Sequence, residues 1–384
     1  MSRQHRTLLL VLSPLLVLVA VGLVALWPDS ERARSNLALD FGGELVTGTV
    51  TSARIDTCES TSPGVDLDCR VATVHLTSGP GKGDRFRLEL QDSPTTVRLE
   101  SGDRIVLNYV SDPGVPEDLR YTFADYQRRQ PLLLLGLLFL AAVIALGRFQ
   151  GVRALAGLGL SLVVLLAFVV PSIIDGNDAV VVSLVGAAVV MLLTLYLAHG
   201  FNERTSAAVL GTLLSLGLIA VLAVVFIGIT KVTGLADENA LFVSIASQDV
   251  DVRGLLLGGI VIGALGVLDD VTVTQVSAVW EIHKANPTQG ARTLYSSALR
   301  VGRDHIASTV NTLVLAYAGA SLPLLVLFVQ AERGLLDVLT GETVAAEVVR
   351  ALVGSIGLVA SVPITTAVAA RVVTAGWADR KAPG

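Results

Sequence analysis

Eight stretches of this chain stay apolar for about as long as a helix needs to cross a bilayer, roughly 20 residues. They are Leu8–Trp27, Pro131–Gly147, Val152–Ile174, Ala179–His199, Ser206–Ile229, Gly254–Trp280, Ile306–Val329 and Val349–Thr374. In lipid only helices and closed barrels satisfy their own backbone polar groups, so runs of this length predict an α-helical polytopic membrane protein with about eight spans. The second run is short, and the sixth and eighth are long enough to tilt or to extend beyond the bilayer. Charged residues make up only 16% of the chain, against about 25% in a soluble domain. That is too little charge to cover a soluble surface, which excludes an ordinary cytosolic enzyme and a disordered chain. The 36 glycines fit the same class, because small residues let helices approach closely where lipid removes the hydrophobic drive to associate. A net charge of −5 offers no basic field for nucleic acid.

Lys and Arg set the orientation. With the N-terminus in the cytoplasm, the inner side holds Arg3, Arg6, Arg148, Arg153, Arg204, Lys284, Arg292, Arg300, Arg303, Arg371, Arg380 and Lys381, and the short outer loops hold Lys231, Arg253, Arg333 and Arg350. The expected topology is N-in and C-in with residues 28–130 outside. The organisation that follows is an anchor helix (1–27), an extracytoplasmic β-rich domain (28–130), a seven-helix membrane domain (131–374) and a cytoplasmic tail (375–384). Leu8–Trp27 follows Arg3 and Arg6 as a signal sequence would, but it is long for one and no clear cleavage motif follows directly. We read it as an uncleaved anchor, with cleavage as the alternative.

Within 28–130, short β-type runs recur between turn signals at Leu45–Ile55, Arg70–Leu76, Asp84–Leu90, Thr96–Leu99 and Arg104–Tyr109. Turns are marked by Ser78-Gly79-Pro80-Gly81, Asp92-Ser93-Pro94 and Ser101-Gly102-Asp103. Five short strands in about 70 residues suggest a small barrel of the OB type. Ser30–Leu39 is a short helix or linker, and no aromatic cluster suited to base stacking is visible. Cys58 and Cys69 flank the loop Glu59–Asp68. Outside the cytoplasm a disulfide is the natural pairing and stabilises by about 2–3 kcal/mol. Metal binding is the alternative, but two thiols with no histidine nearby are too few ligands.

The sixth run is the most informative. Gly259, Gly263, Gly266, Asp270, Thr274, Ser277 and Glu281 follow one another at steps of three or four and so share a helical face. Its glycine half is expected to pack tightly and its polar half to line a cleft. Asp270 lies about 15 Å along the helix from Trp280, at about 1.5 Å per residue, which places it near mid-membrane. A charged Asp at that depth costs on the order of 2.5–3.5 kcal/mol, so it must be paired, hydrated or protonated. Asp269 points about 100° away, and Gln275 lies cleanly on neither side. Such a carboxylate pair suits reversible protonation or coordination of a cation by hard oxygens. The alternative is a lock, in which Asp270 accepts hydrogen bonds from Asn311, Thr312 or Tyr317 and ties two helices together. On the seventh run Ser308, Asn311, Thr312, Leu315 and Gly319 share a face, Pro323 is placed to kink the outer half, and Arg303-Asp304 forms an interfacial pair. The fourth and eighth runs offer weaker cues in Tyr196 and in Gly354, Gly357, Ser361 and Thr365 around Pro363. His199, His283 and His305 lack ligand spacing, so no metal site is expected. There is no phosphate-binding loop, dinucleotide fingerprint, nucleophile elbow or zinc-protease motif. No cofactor and no enzymatic activity are therefore expected.

Leu268-Asp269-Asp270-Val271, Trp280–Pro287, Gly302-Arg303-Asp304 and Asn311–Leu325 resemble the YibE/F-like family of bacterial multi-pass membrane proteins, and Thr77–Gly83 and Ser101–Ile105 are similar to it as well. The resemblance implies residence in a bacterial plasma membrane and names no substrate. Two functions compete. One is a permease or channel-like protein for an ion or small solute, with Asp270 as the protonatable or cation-binding group, aided by Asp269, Thr274, Gln275, Ser277, Asn311, Thr312 and Tyr317, and with Glu281 and Asp304 at the inner vestibule. The other is a non-transporting envelope assembly protein whose β domain binds a protein partner while the spans anchor it. In either case the bilayer is the first partner.

Overall fold

The computed structural model describes residues 3–29, 43–58, 67–91, 93, 96–112, 114–116, 120–247, 250–330 and 334–381. The segment Ser30–Leu39, most of the loop Glu59–Asp68 and the Cys58 side chain lie outside the described residues; Cys69 is disulfide-bonded. The chain forms two compact units, one of Leu39–Ala145 and one of Met1–Ala38 with Leu146–Gly384.

The smaller unit holds five strands: β1 (Glu44–Cys58), β2 (Leu67–Leu76), β3 (Arg85–Gln91), β4 (Arg104–Tyr109) and β5 (Tyr121–Tyr126). They form one antiparallel sheet in the order β3-β2-β1-β4-β5. β1 is long enough to serve two partners: Gly48–Cys58 pair with β2 and Glu44–Thr49 with β4. Register shifts at Val50/Ser52 and Val106/Leu107 bend the sheet, as bulges do, into a half-barrel. Val46, Val50, Ala72, Val74, Leu76, Leu88, Ile105 and Leu107 fill its concave side. The expected strand Thr96–Leu99 is irregular instead: Leu99 is buried in this core, but its segment pairs with no strand. The fifth strand is Tyr121–Tyr126, whose Tyr, Phe and Tyr alternate with Thr, Ala and Asp. A second correction concerns the aromatics. Phe86, Tyr109 and Tyr121, distant in sequence, come together as a cluster.

The remaining elements are helical: α1 (Arg3–Ala25), α2 (Arg129–Val164), a π-helical turn Leu165–Val169, α3 (Val170–Ile174), α4 (Ala179–His199), α5 (Glu203–Thr230), α6 (Glu238–Ala246), α7 (Val252–Ala285), α8 (Ala291–Ala320), α9 (Leu322–Gln330), α10 (Leu335–Thr340) and α11 (Glu342–Lys381). Among the described residues five helical stretches are long and apolar enough to cross a membrane: Arg129–Ile174, Ala179–His199, Glu203–Thr230, Val252–Ala285 and Glu342–Ala375. The first of these joins the second and third apolar runs, and Arg148 (φ 49°, ψ −129°) breaks it between them. The seventh run is not one helix. α8 begins before it and carries Arg292, Arg300, Arg303 and Asp304 ahead of the run, and the helix stops at Ser321, two residues before Pro323, where a ring without an N–H disfavours continuation. Asp178, Asn202, Asp237 and Asp251 each accept backbone N–H bonds at a helix start, satisfying donors that lipid cannot.

Helix ends meet in two groups. After α1, Trp27 stacks on Phe168 at 5.9 Å, the Leu26 carbonyl accepts from Ser172 Oγ at 2.8 Å, and the Asp29 N–H donates to Asp175 Oδ2 at 2.9 Å. Beyond the end of α5, the Thr233 and Gly234 N–H groups donate to Glu342 at the start of α11 at 2.7 and 3.1 Å. At the other ends, His199, Arg204 and Val276 line one small cavity. Consecutive long helices therefore alternate in direction. The core between them is Leu216, Ile219, Ile260, Leu268, Val276, Leu294 and Val362, all 2% exposed or less.

Close approach depends on particular glycines. A methyl on Gly258 would press into Ser183 Oγ and lie 3.1 Å from the Ala179 carbonyl, whereas one on Gly266 would meet nothing within 4 Å. Gly258→Ala is therefore expected to destabilise the protein by about 1–3 kcal/mol, as overpacking does, and Gly266→Ala to leave it unchanged; thermal unfolding in detergent measures both.

Candidate functional site

Asp269 and Asp270 stand near the middle of α7, 17 and 18 residues after Val252. At about 1.5 Å per residue each is some 25 Å from either helix end. Adjacent residues on a helix diverge by about 100°, and the two acids accordingly meet different surroundings. Asp269 is partly buried and faces α4, where Thr194 Oγ1 donates to its Oδ2 at 3.3 Å. Its Oδ1 is buried without a hydrogen-bond partner. Thr194 Oγ1 has one proton and three acceptors within reach, since the Val190 and Met191 carbonyls lie at 2.9 and 3.2 Å. Asp270 is exposed and makes no hydrogen bond or ion pair with a described residue. The interhelical lock through Asn311, Thr312 or Tyr317 is thus not formed.

The stripe that led to Asp270 lies on one side of α7, but it is open rather than packed. Gly259, Gly263, Gly266, Asp270, Thr274 and Glu281 are exposed and Ser277 is half-buried. Methyls on Gly259 and Gly266 would touch nothing, and one on Gly263 would meet only the Tyr317 hydroxyl, at 3.5 Å. The expected tight packing of the glycine half is therefore absent. Ser277 Oγ donates to its own helix at Val273 O (2.7 Å), and Thr312 Oγ1 does the same to Ser308 O (3.0 Å). Glu281 pairs with Lys284 at 3.8 Å on an exposed surface, an arrangement worth little in stability. Asp304 and Asn311 are exposed on α8. Gln275 belongs to the interior: its Nε2 donates to the Ala298 carbonyl at 3.0 Å and to Thr366 Oγ1 at 2.7 Å, tying α7 to α8 and α11.

Two features escaped the sequence reading. One is a buried polar seam between α5, α7 and α11. Thr212 and Thr272 bond hydroxyl to hydroxyl at 2.8 Å, and Ser215, Ser361, Thr365 and Thr366 are buried beside them. Ser361 and Thr365 had shown only as a weak small-residue pattern, and the α5 hydroxyls were hidden in a featureless Leu/Ala/Gly run. The other is a cavity of about 680 Å³ where α6, α7, α8, α9 and α11 converge. Among the expected site residues Tyr317 lines it, together with Ser321 and Pro323 at the α8–α9 break and with Glu347 and Arg350. Arg350, expected in an outer loop, lies two turns inside α11, where its Nη1 bonds Glu347 Oε1 at 2.9 Å. Among the described residues no three of His, Cys, Asp or Glu are grouped so as to hold a metal ion.

Residues 135–375 match the model of the YibE/F-like protein family. The match covers well over half of the chain, which therefore belongs to that family. No curated protein and no solved structure matches the chain.

The different surroundings of the two acids are open to direct measurement. With a cysteine in place of each acid in turn, N-ethylmaleimide is expected to react at least about tenfold faster at Asp270→Cys than at Asp269→Cys, because thiol reactivity follows access; labelling rates followed by mass spectrometry give the ratio.

Proposed function

We propose that this membrane protein is a permease or channel-like protein for an ion or small solute, and that the Asp269–Asp270 pair handles its charge. One observation carries this reading: at the centre of an apolar span, one carboxylate keeps a buried oxygen without a partner and its neighbour has no partner among the described residues. A structural acid at that depth would be expected to have its acceptors satisfied. Acceptors left open suit a group that takes up and releases a proton or a cation. The large cavity supplies a route of entry. Tyr317 lines it and lies over Gly263, and Asp270 follows two turns further along the same open face. Helix breaks beside cavities, such as that at Ser321, are where transporters place solute sites.

In this reading the membrane domain has about eight spans: α1, the two halves of Arg129–Ile174, α4, α5, α7, α8 with α9, and α11. The alternating helix ends support an arrangement with both termini on one side, and the basic residues Arg204, Lys284, Arg292, Arg300 and Arg303 support that side as the cytoplasm of a bacterial plasma membrane. The half-barrel is taken as an OB-like domain outside the membrane. Its strand order supports this, since only the β3–β5 pairing is missing from a closed five-stranded barrel. No catalytic step belongs to the proposal.

Reconstitution of the full chain into liposomes loaded with proton-, sodium- and potassium-reporting dyes tests the proposal. The wild-type chain is expected to carry at least one of these fluxes above protein-free liposomes, and Asp269→Asn or Asp270→Asn to lower it about tenfold or more, the scale of losing an interaction of about 1.4 kcal/mol. Flux that persists unchanged in both folded variants would overturn the mechanism. A wild-type chain that carries none of the three would favour the assembly role instead.

A further inference from the structure

β3 and β5 are the two edges of the sheet, and between them the β unit holds a cavity of about 440 Å³. Three strands each contribute a ring to its lining. Phe86 of β3 and Tyr121 of β5 have centroids 4.9 Å apart, and Tyr109 of β4 lies 5.0 Å from Tyr121. All three rings are half-buried, so each keeps some surface open. Tyr121 Oη donates to the Pro80 carbonyl at 2.7 Å, which fixes its ring against the turn. Burial raises the pKa of this phenol, with Tyr109 and Asp84 acting in the same direction and Arg120 against them, and it stays neutral.

Around the rings stand Asp84, Arg85, Arg87 and Arg120. Arg87 is engaged by Glu89 at 2.8 Å. Arg120 uses Nε on the Val115 carbonyl at 3.2 Å, which leaves its Nη groups without a partner among the described residues. Arg85 is exposed and makes no hydrogen bond or ion pair with a described residue. Two guanidinium groups whose remaining donors meet no described residue, and one carboxylate, thus flank an aromatic platform.

We propose that this cavity binds an acidic saccharide, a hydroxylated ring bearing a single carboxylate or comparable anion. Guanidinium groups recognise a carboxylate through paired, charge-assisted bonds. Asp84 accepts from ring hydroxyls and repels a densely charged anion, which favours a sugar acid over a polyphosphate. The rings take the apolar face of the sugar. The volume lies within the roughly 300–1,000 Å³ of small-molecule sites. This assignment does not depend on transport by the helical unit.

The experiment is calorimetric titration of the full chain, purified in a detergent without a sugar head group, with trigalacturonate, maltotriose and ATP as probes. Trigalacturonate is expected to bind, maltotriose and ATP to bind at least about tenfold more weakly, and Arg85→Gln to weaken trigalacturonate about tenfold with unchanged thermal unfolding, since each tenfold corresponds to one lost contact of about 1.4 kcal/mol. Asp84→Asn, which removes the repulsive charge and keeps an acceptor, is expected to narrow the gap between ATP and trigalacturonate. Absence of trigalacturonate binding at millimolar concentration, equal binding by maltotriose, tighter binding by ATP, or indifference to Arg85→Gln would each overturn the proposal.

Discussion

Inside a bilayer a polar group has no water to fall back on, and each must find its partner within the protein. That requirement accounts for much of what the helical unit looks like. Its spans are helices because helices satisfy their own backbone. Their starts carry Asp178, Asn202, Asp237 and Asp251 because the first N–H groups would otherwise be orphaned. Its interior hydroxyls lie against carbonyls one turn back: Thr212 on Ala208, Ser215 on Gly211, Thr272 on Leu268 and Thr366 on Val362. Gln275, a buried amide, ties together three helices.

Against that background the exceptions are informative. Asp269 shares one proton donor with two backbone carbonyls and leaves an oxygen unmatched. Asp270, one residue on, faces open space. Arg350 and Glu347 hold each other two turns inside a long apolar helix and line the cavity of about 680 Å³. Ser183 Oγ, Ser355 Oγ and Thr365 Oγ1 are also buried without a partner among the described residues; Asp269, Glu347 and Arg350 differ from them in being ionisable, and so cost more to leave in an apolar setting.

The helical class was readable from run length alone, because a span is set by bilayer thickness and leaves a contiguous signal. The mid-span acids were readable too, since a charge in an apolar run is conspicuous. Which of the two acids turns inward was not: the small/polar stripe through Asp270 has the periodicity of a packed face, yet it is the large apolar residues Leu268, Val271 and Val276 that fill the core and carry Asp269 and Gln275 in with them. The break at Ser321 followed from Pro323, but the kink at Arg148 had no local signature. In the β unit, strands with clear alternation were found, Thr96–Leu99 misled because one buried leucine does not make a strand, and the aromatic cluster was invisible because its members come from residues 86, 109 and 121 and meet only through the sheet order.

The hydroxyls bonded to their own helices have one more effect. A Ser or Thr owns a single proton, and where that proton is committed to a carbonyl one turn back, only lone pairs face the neighbouring helices. At Thr212 and Thr272 two protons already serve four contacts. Beside Asp269 the Thr194 and Thr272 protons are committed in this way, so the carboxylate adds an acceptor where the donors are already taken. A buried acceptor of this kind is completed by a hydrogen-bond donor or a positive charge and not by an anion.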